Sequence, residues 1–293
     1  MRHAILGVGG VGGLVGAALA HAGDPVTLIL RREVAAGYPP VLSLDSPFGK
    51  FVVPVERATT VSQPLDVLWI AVKATQLDTA LDLISNGNEH GAIVPLLNGV
   101  DHVALLRSRF GHDRVVPATI AVESERVSPG VIVHRSSFVR LNVSSMGRER
   151  LGPAIGKLQQ FGFACQFVDD EATLMWSKLA FLAPMALAST AAARDKGGLV
   201  SDPVWRQRLE SSVAEVCAVA AAGGAKVDPA NILKFIEGLK PGIRSSMQKD
   251  VEAGKPPELD AIAGPILRGA QARGLAVPVI QELVGMVRAR LRT

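Results

Sequence analysis

Six residues near the start of the chain, Gly7-Val8-Gly9-Gly10-Val11-Gly12, constrain its fold more than any other feature. They follow a short apolar run, His3 to Leu6, and open a longer apolar stretch, Val11 to His21, which closes at Gly23 ahead of a second run from Val26 to Leu30. This is a GxGxxG between a strand and a helix. The first glycine permits a tight turn, the second lets backbone approach a pyrophosphate, and the third lets helix and strand pack closely. A dinucleotide pyrophosphate is therefore expected on Gly7, Gly9, Gly10, Val11 and Gly12, where the amides and dipole of the helix start favour negative charge. Arg31-Arg32 follows the second run, at the place where NAD-binding chains carry an acid for the ribose 2′-hydroxyl. An arginine there suits a 2′-phosphate, so NADP(H) is the expected cofactor, with a solvated basic pair beside Glu33 as the alternative.

The remaining chain has two textures. Up to residue 168, apolar β-rich runs at Val67 to Val72, Ala92 to Leu97 and Val115 to Ile120 continue the pattern of a parallel sheet buried on both faces. Val131 to His134 and Phe138 to Val143 read as an antiparallel addition, and Phe163 to Val168 as a last strand. Beyond Asp169 come Ala/Leu-rich helices, with starts at Ser201-Asp202-Pro203 and Asp228-Pro229 and stops at Gly223-Gly224 and Gly274. The expected class is α/β plus all-α: a Rossmann dinucleotide-binding domain over 1–168 and a helical domain over 169–293. A hydrophobic share of 48% over 293 residues is enough for two cores and excludes disorder as the main state.

Charge and cysteine content remove other classes. The 31 basic and 27 acidic residues are dispersed, without the basic stripe of a nucleic-acid binder. Cys165 and Cys217 stand far apart with no CxxC, which supports neither a disulfide framework nor a zinc site, so no metal is expected and a reduced cytoplasm is the expected compartment. The glycines that break the apolar stretch at Ile5 to Ala20 argue for folded protein rather than a signal segment. No membrane partner is expected.

Ligands of open parallel sheets bind beyond the carboxyl ends of the strands. Lys73 and Asn98 stand at two such ends, and with the glycine motif they point to one crevice. From Ala172 to Ala193 every residue is apolar, small or hydroxyl-bearing except Lys178. A helix of that composition is buried, and one ammonium on it is costly unless it is paired or set in a polar cleft, where its pKa falls toward the range of acid–base work. Snorkelling to the surface is the alternative. Glu258, at the start of a later helix, is either a dipole-favoured surface acid or a catalytic partner; pattern alone leaves both open.

Taken together, these residues resemble the ketopantoate reductase family, the 2-dehydropantoate 2-reductases, over nearly the whole chain. The likeness rests on Gly7 to Gly12, Lys73-Ala74-Thr75-Gln76, Leu97-Asn98-Gly99, Trp176-Ser177-Lys178, Ser245-Ser246-Met247-Gln248, Glu252-Ala253-Gly254 and Pro257-Glu258-Leu259-Asp260. The resemblance implies a second domain like the C-terminal domain of 6-phosphogluconate dehydrogenase, and NADPH-dependent reduction of a 2-oxo acid in pantothenate biosynthesis. It implies Lys178 as general acid, Glu258 on the substrate hydroxyls, and Lys73, Asn98 and Ser246 as binding residues for cofactor and substrate. It also suggests a homodimer through the helical domain. One departure changes the expectation. The family carries substrate-binding asparagines four and eight residues after the lysine, where this chain has Leu182 and Ala186, with Pro184 between them expected to kink the helix. A more apolar carbonyl substrate, or a non-catalytic NADP(H)-binding sensor, therefore stay open beside ketopantoate reduction.

Overall fold

The computed structural model describes residues 1–61, 63–84 and 90–291. The chain divides into two compact units: Met1–Leu97 with His102–Asp169, and Asn98–Asp101 with the residues from Asp170 onward.

The first unit is built on a five-stranded parallel sheet. Its strands are β1 (His3–Leu6), β2 (Val26–Ile29), β5 (Glu56–Ala58), β6 (Leu65–Ile70) and β7 (His90–Pro95), in the order β5-β2-β1-β6-β7. Between β2 and β5 lies the hairpin of β3 (Val41–Ser46) and β4 (Gly49–Pro54). Period-two geometry explains the continuous apolar runs. Ile5, Val67, Trp69 and Val94 project into one core, while Ala4, Leu6, Leu68, Ile70 and Ile93 project into another on the opposite face. Helix α1 (Gly10–His21) connects β1 to β2, and the short α2 (Arg32–Ala35) and α3 (Leu77–Leu81) follow β2 and β6. Helix α4 (Asp101–Phe110) follows β7.

Two expectations need correction. The run Val115 to Ile120 is not one further parallel strand: Val115 makes an isolated parallel bridge to Ile93, and the strand proper, β8 (Ala118–Ala121), belongs to a different sheet. Pro117 sits at the break, and a residue without an N–H cannot carry a ladder through. The two runs expected as one antiparallel addition also separate. With β9 (Ser124–Ser128), β10 (Val131–His134) forms a sheet β4-β3-β10-β9, in which it is antiparallel to β9 and parallel to β3. Strand β11 (Arg140–Ser144) joins β8 and β12 (Ala164–Val168) instead, with α5 (Arg148–Phe161) connecting β11 to β12.

The second unit is helical: α6 (Glu171–Ala192), α7 (Lys196–Ser201), α8 (Pro203–Ala222), α9 (Pro229–Glu237), α10 (Ser246–Glu252), α11 (Leu259–Arg273) and α12 (Pro278–Arg290). The aspartate–proline pairs do start helices. Asp202 accepts from the amides of Val204 and Trp205, and Asp228 from that of Ala230, each followed by proline in the first turn. Helix α6 has the length and apolarity of a membrane span, but it packs against α8, α10 and α12, and Leu179, Ala183, Ala186 and Leu187 lie in the helical core. It runs as one helix through Pro184.

Candidate active site

The glycine motif folds into a turn whose residue types are set by contact. Gly7 has φ +99°, and a Cβ on it would overlap the backbone at Ala71 and Val72. A Cβ on Gly12 would strike the Gly7 carbonyl and Ile5, so this glycine brings α1 against β1. At Gly9 the space is open, as approach of a ligand to the backbone requires. Gly9 caps α1 with no side chain, and Gly10, Val11 and Gly12 occupy the first turn, where backbone N–H groups have no intrahelical acceptor. These residues fit an anionic diphosphate. Gly10 has a second duty that the motif did not reveal. A Cβ there would overlap the Ser124 carbonyl, and Ser124 Oγ donates to the Gly10 carbonyl at 2.9 Å, so β9 demands a glycine whether or not a ligand is bound.

Arg31 lies just past β2 as the N-cap residue of α2, exposed, with its Nε 3.4 Å from Glu33 Oε1. This surface ion pair leaves the guanidinium accessible. Lys73 is exposed, three positions beyond the last residue of β6, and begins a short 3-10 turn over Ala74–Gln76.

Lys178 stands two turns into α6, whose start is fixed by Asp170 accepting from the Thr173 amide at 3.0 Å. Burial drives the ammonium down to about 8, against the attraction of Glu258, which favours the charged form. Glu258 immediately precedes α11 and does not cap it with its side chain. It is 9% exposed, and Asn98 Nδ2 donates to its Oε2 at 3.0 Å. The surface-acid reading of Glu258 is thereby excluded: a mostly buried carboxylate paired with an amide and within electrostatic reach of a lysine is not a solvated helix start. Asn98 and Gly99, which leave β7 in the sequence, group with the helical unit.

Ser246 is the exposed first residue of α10, after Ser245, which caps that helix and bonds Ser189 Oγ at 2.8 Å. Leu182 is partly exposed and packs at the margin of the helical core, next to Phe181, whose ring meets Phe235 of α9 edge-on at 4.9 Å and 89°. Ala186 is 0% exposed and wholly within that core, so it does not form an accessible wall beside Leu182 as the four-residue spacing implied. Sequence reading missed Arg268, which bridges Asp101 and Asp260, and gave no role to Gln248, which is buried and donates to Glu252 Oε1 at 2.9 Å. The i, i+4, i+8 spacing of Asp260, Gly264 and Arg268 was available as a signal; the partner Asp101, far away in sequence, was not.

Comparison with known proteins covers both units. Residues 3–147 match the family described as "Ketopantoate reductase PanE/ApbA" and residues 171–291 match its C-terminal part. The 2-dehydropantoate 2-reductase of Caulobacter vibrioides is 30% identical, over 98% of this chain and 98% of that protein. The crystal structure of a PanE/ApbA family ketopantoate reductase from Ralstonia eutropha superposes with a TM-score of 0.87 at 26% identity, covering 100% of this chain and 99% of that one. A ternary structure of D-mandelate dehydrogenase with NADH and anilino(oxo)acetate shares the fold at TM-score 0.86 and 20% identity, covering 100% and 99% of the two chains. With both units matched by its family models and a reductase 30% identical along its whole length, this chain belongs to the ketopantoate reductase PanE/ApbA family of oxidoreductases.

Proposed function

We propose that the protein is an NADPH-dependent reductase of a 2-oxo acid bearing a hydrocarbon side chain, with Lys178 as its general acid. The observation that carries this reading is the lone ammonium of α6, lowered to about 8 by burial and within the electrostatic influence of Glu258. When bound, the nicotinamide cofactor supplies the hydride. Gly7 to Gly12 would hold its diphosphate and Arg31 its 2′-phosphate, in exchange for the exposed contact with Glu33.

Reduction of a ketone builds negative charge on its oxygen. An ammonium placed there stabilises that charge and then donates the proton. With a pKa of about 8, Lys178 is mostly protonated at neutral pH yet gives up its proton more readily than an exposed lysine. Glu258 keeps the charged form of Lys178 favourable and, anchored by Asn98, presents its remaining acceptor capacity to a substrate hydroxyl.

Side-chain preference follows from the residues one turn beyond Lys178. Phe181 and Leu182, three and four positions on, share its face of the helix, and Phe235 extends the apolar surface. None of the three offers the amide hydrogen bonds that a hydroxylated side chain needs. The test is NADPH consumption across a panel running from ketopantoate through branched aliphatic to aromatic 2-oxo acids. Turnover highest on the apolar members is expected. A folded protein that binds NADPH yet reduces nothing in the panel overturns the reading in favour of a cofactor-binding sensor.

A further inference from the structure

The segment that leaves β7 is fastened at three points to α11 and the residue just before it. Asn98 donates to Glu258 at 3.0 Å. Gly99, at φ +85°, lies so close to the Ala261 carbonyl that a Cβ would overlap it. Asp101 Oδ2 accepts from Arg268 Nε at 3.2 Å and from Nη2 at 2.6 Å. The same guanidinium also reaches Asp260, with Nη1 at 2.9 Å and Nη2 at 3.3 Å.

This fork is built into the helix. Asp260, Gly264 and Arg268 are four residues apart and share one stripe of α11. A Cβ on Gly264 would overlap Nη2 of Arg268 and approach Cζ to 2.7 Å, so the guanidinium lies in the space that glycine leaves. Hydrogen bonds to Asp260 and Asp101 hold Arg268 above its ordinary pKa, so it stays charged. Its side chain is 54% exposed, as is that of Asp101, and isolated pairs of this kind add little to stability. Placement is what such a fork supplies: one planar group fixes two carboxylates, and the Asn98 turn with them.

We propose that Arg268 is a positioning residue, which ties Asp101 to the first turn of α11 and thereby sets where the Asn98 amide meets the Glu258 carboxylate beside Lys178. This rests on the roles given above to Lys178 and Glu258. Small displacements of such groups are expensive in rate.

The test has a kinetic arm and an arm that needs no substrate, both on the full chain. Arg268→Ala should lower kcat/KM for the best 2-oxo acid by about tenfold, with partial recovery in Arg268→Lys. Gly264→Ala, which keeps every charge and removes only the space, should give the same direction of change. Because Arg268 acts through Asn98, the double variant Asn98→Ala with Arg268→Ala should be no worse than Asn98→Ala alone; additive losses overturn the proposal. In the second arm, carbon NMR of labelled lysine, with Lys178 assigned from Lys178→Arg, follows its titration. Arg268→Ala and Gly264→Ala should both shift the midpoint downward as Glu258 loses its fixed position. An unmoved midpoint in both overturns the proposal, even if the enzyme is active. A moved midpoint without turnover of any 2-oxo acid supports the fork while the reductase reading fails.

Discussion

Asn98 and Glu258, 160 residues apart, meet at 3.0 Å, and the amide of the first holds the carboxylate of the second, which is the electrostatic partner of Lys178. Removing that donor leaves a nearly buried carboxylate short of a hydrogen bond. A hydrogen bond to a charged group contributes roughly 1.5–3 kcal/mol, so Asn98→Ala should lower kcat/KM by about ten- to a hundredfold while NADPH affinity changes little. Steady-state kinetics beside a cofactor titration separate the two effects, and a loss confined to cofactor binding would contradict the assignment.

In the proposed reaction Lys178, as general acid, sets the pH dependence. Reduction needs the ammonium, so the rate should fall as pH rises through about 8, and the reverse oxidation should rise over the same interval. Glu258→Gln removes the attraction that favours the charged lysine and should move this limb to lower pH. Lys178→Ala should cut kcat by on the order of 10² to 10⁴ and abolish the limb. A limb that stays in place in Glu258→Gln would show that the carboxylate does not govern the lysine.

The proposed preference for NADPH rests on Arg31, which pairs with Glu33 at 3.4 Å on the surface. Arg31→Ala should weaken NADPH by about tenfold or more and leave NADH nearly unaffected. Glu33→Gln weakens the hold on the guanidinium and should tighten NADPH slightly. Fluorescence titration of both cofactors decides it, and equal losses for both would remove Arg31 from the 2′-phosphate.

The glycine motif, the two textures of the chain and Lys178 were legible because each depends on local pattern: a turn that only glycine can make, and a charge alone on an apolar helix. The hairpin β3–β4 and the partners of β10 and β11 were not, because strand pairing joins segments far apart, and Pro117 ends a run that composition alone extends. Glu258 could be named but its burial could not, since its partner Asn98 comes from another part of the chain. The environment of Ala186 was hidden for a related reason. Spacing fixes the face of a helix, while what covers that face comes from α8, α10 and α12.

A buried network in the first unit should make acid stability depend on two residues. Trp69 Nε1 donates to His3 Nδ1 at 3.3 Å, which leaves the proton of the neutral ring on Nε2, donated to Asp24 Oδ2 at 3.1 Å. Asp24 Oδ1 also accepts from Lys157 at 2.6 Å and from the N-terminal ammonium at 2.9 Å. Burial opposes the Asp24 charge, but the hydrogen bonds outweigh it and hold the carboxyl at about 2, while burial lowers His3. Both groups are less readily protonated folded than unfolded, so their contribution is full above the unfolded values. It declines as pH falls below about 6.5 for His3 and from about 4 to about 2 for Asp24, the latter on the order of 2 kcal/mol. Asp24→Asn should lower stability at pH 7 and flatten the acid limb in urea unfolding. A parallel offset at every pH would mean that the carboxylate is not the titrating element.

Substrate selection is the last test, and the two positions that depart from the family pattern should respond differently. Leu182 is partly exposed one turn beyond Lys178, so an asparagine there can meet a polar substrate group without entering the core. Leu182→Asn should raise kcat/KM for ketopantoate relative to an apolar 2-oxo acid by up to about tenfold, the scale of one hydrogen bond regained. Ala186 is 0% exposed among Leu187, Leu199 and their neighbours in the helical core. Asparagine at that site carries an amide into apolar surroundings, at a cost of roughly 1–3 kcal/mol if it finds no partner, and adds side-chain bulk where overpacking costs about the same again. Ala186→Asn should therefore lower the unfolding midpoint and bring little gain on ketopantoate, alone or with Leu182→Asn. If Ala186→Asn instead keeps full stability and improves ketopantoate turnover, α6 must open to substrate along two turns rather than one, and the apolar selection argued from Phe181, Leu182 and Phe235 would be wrong.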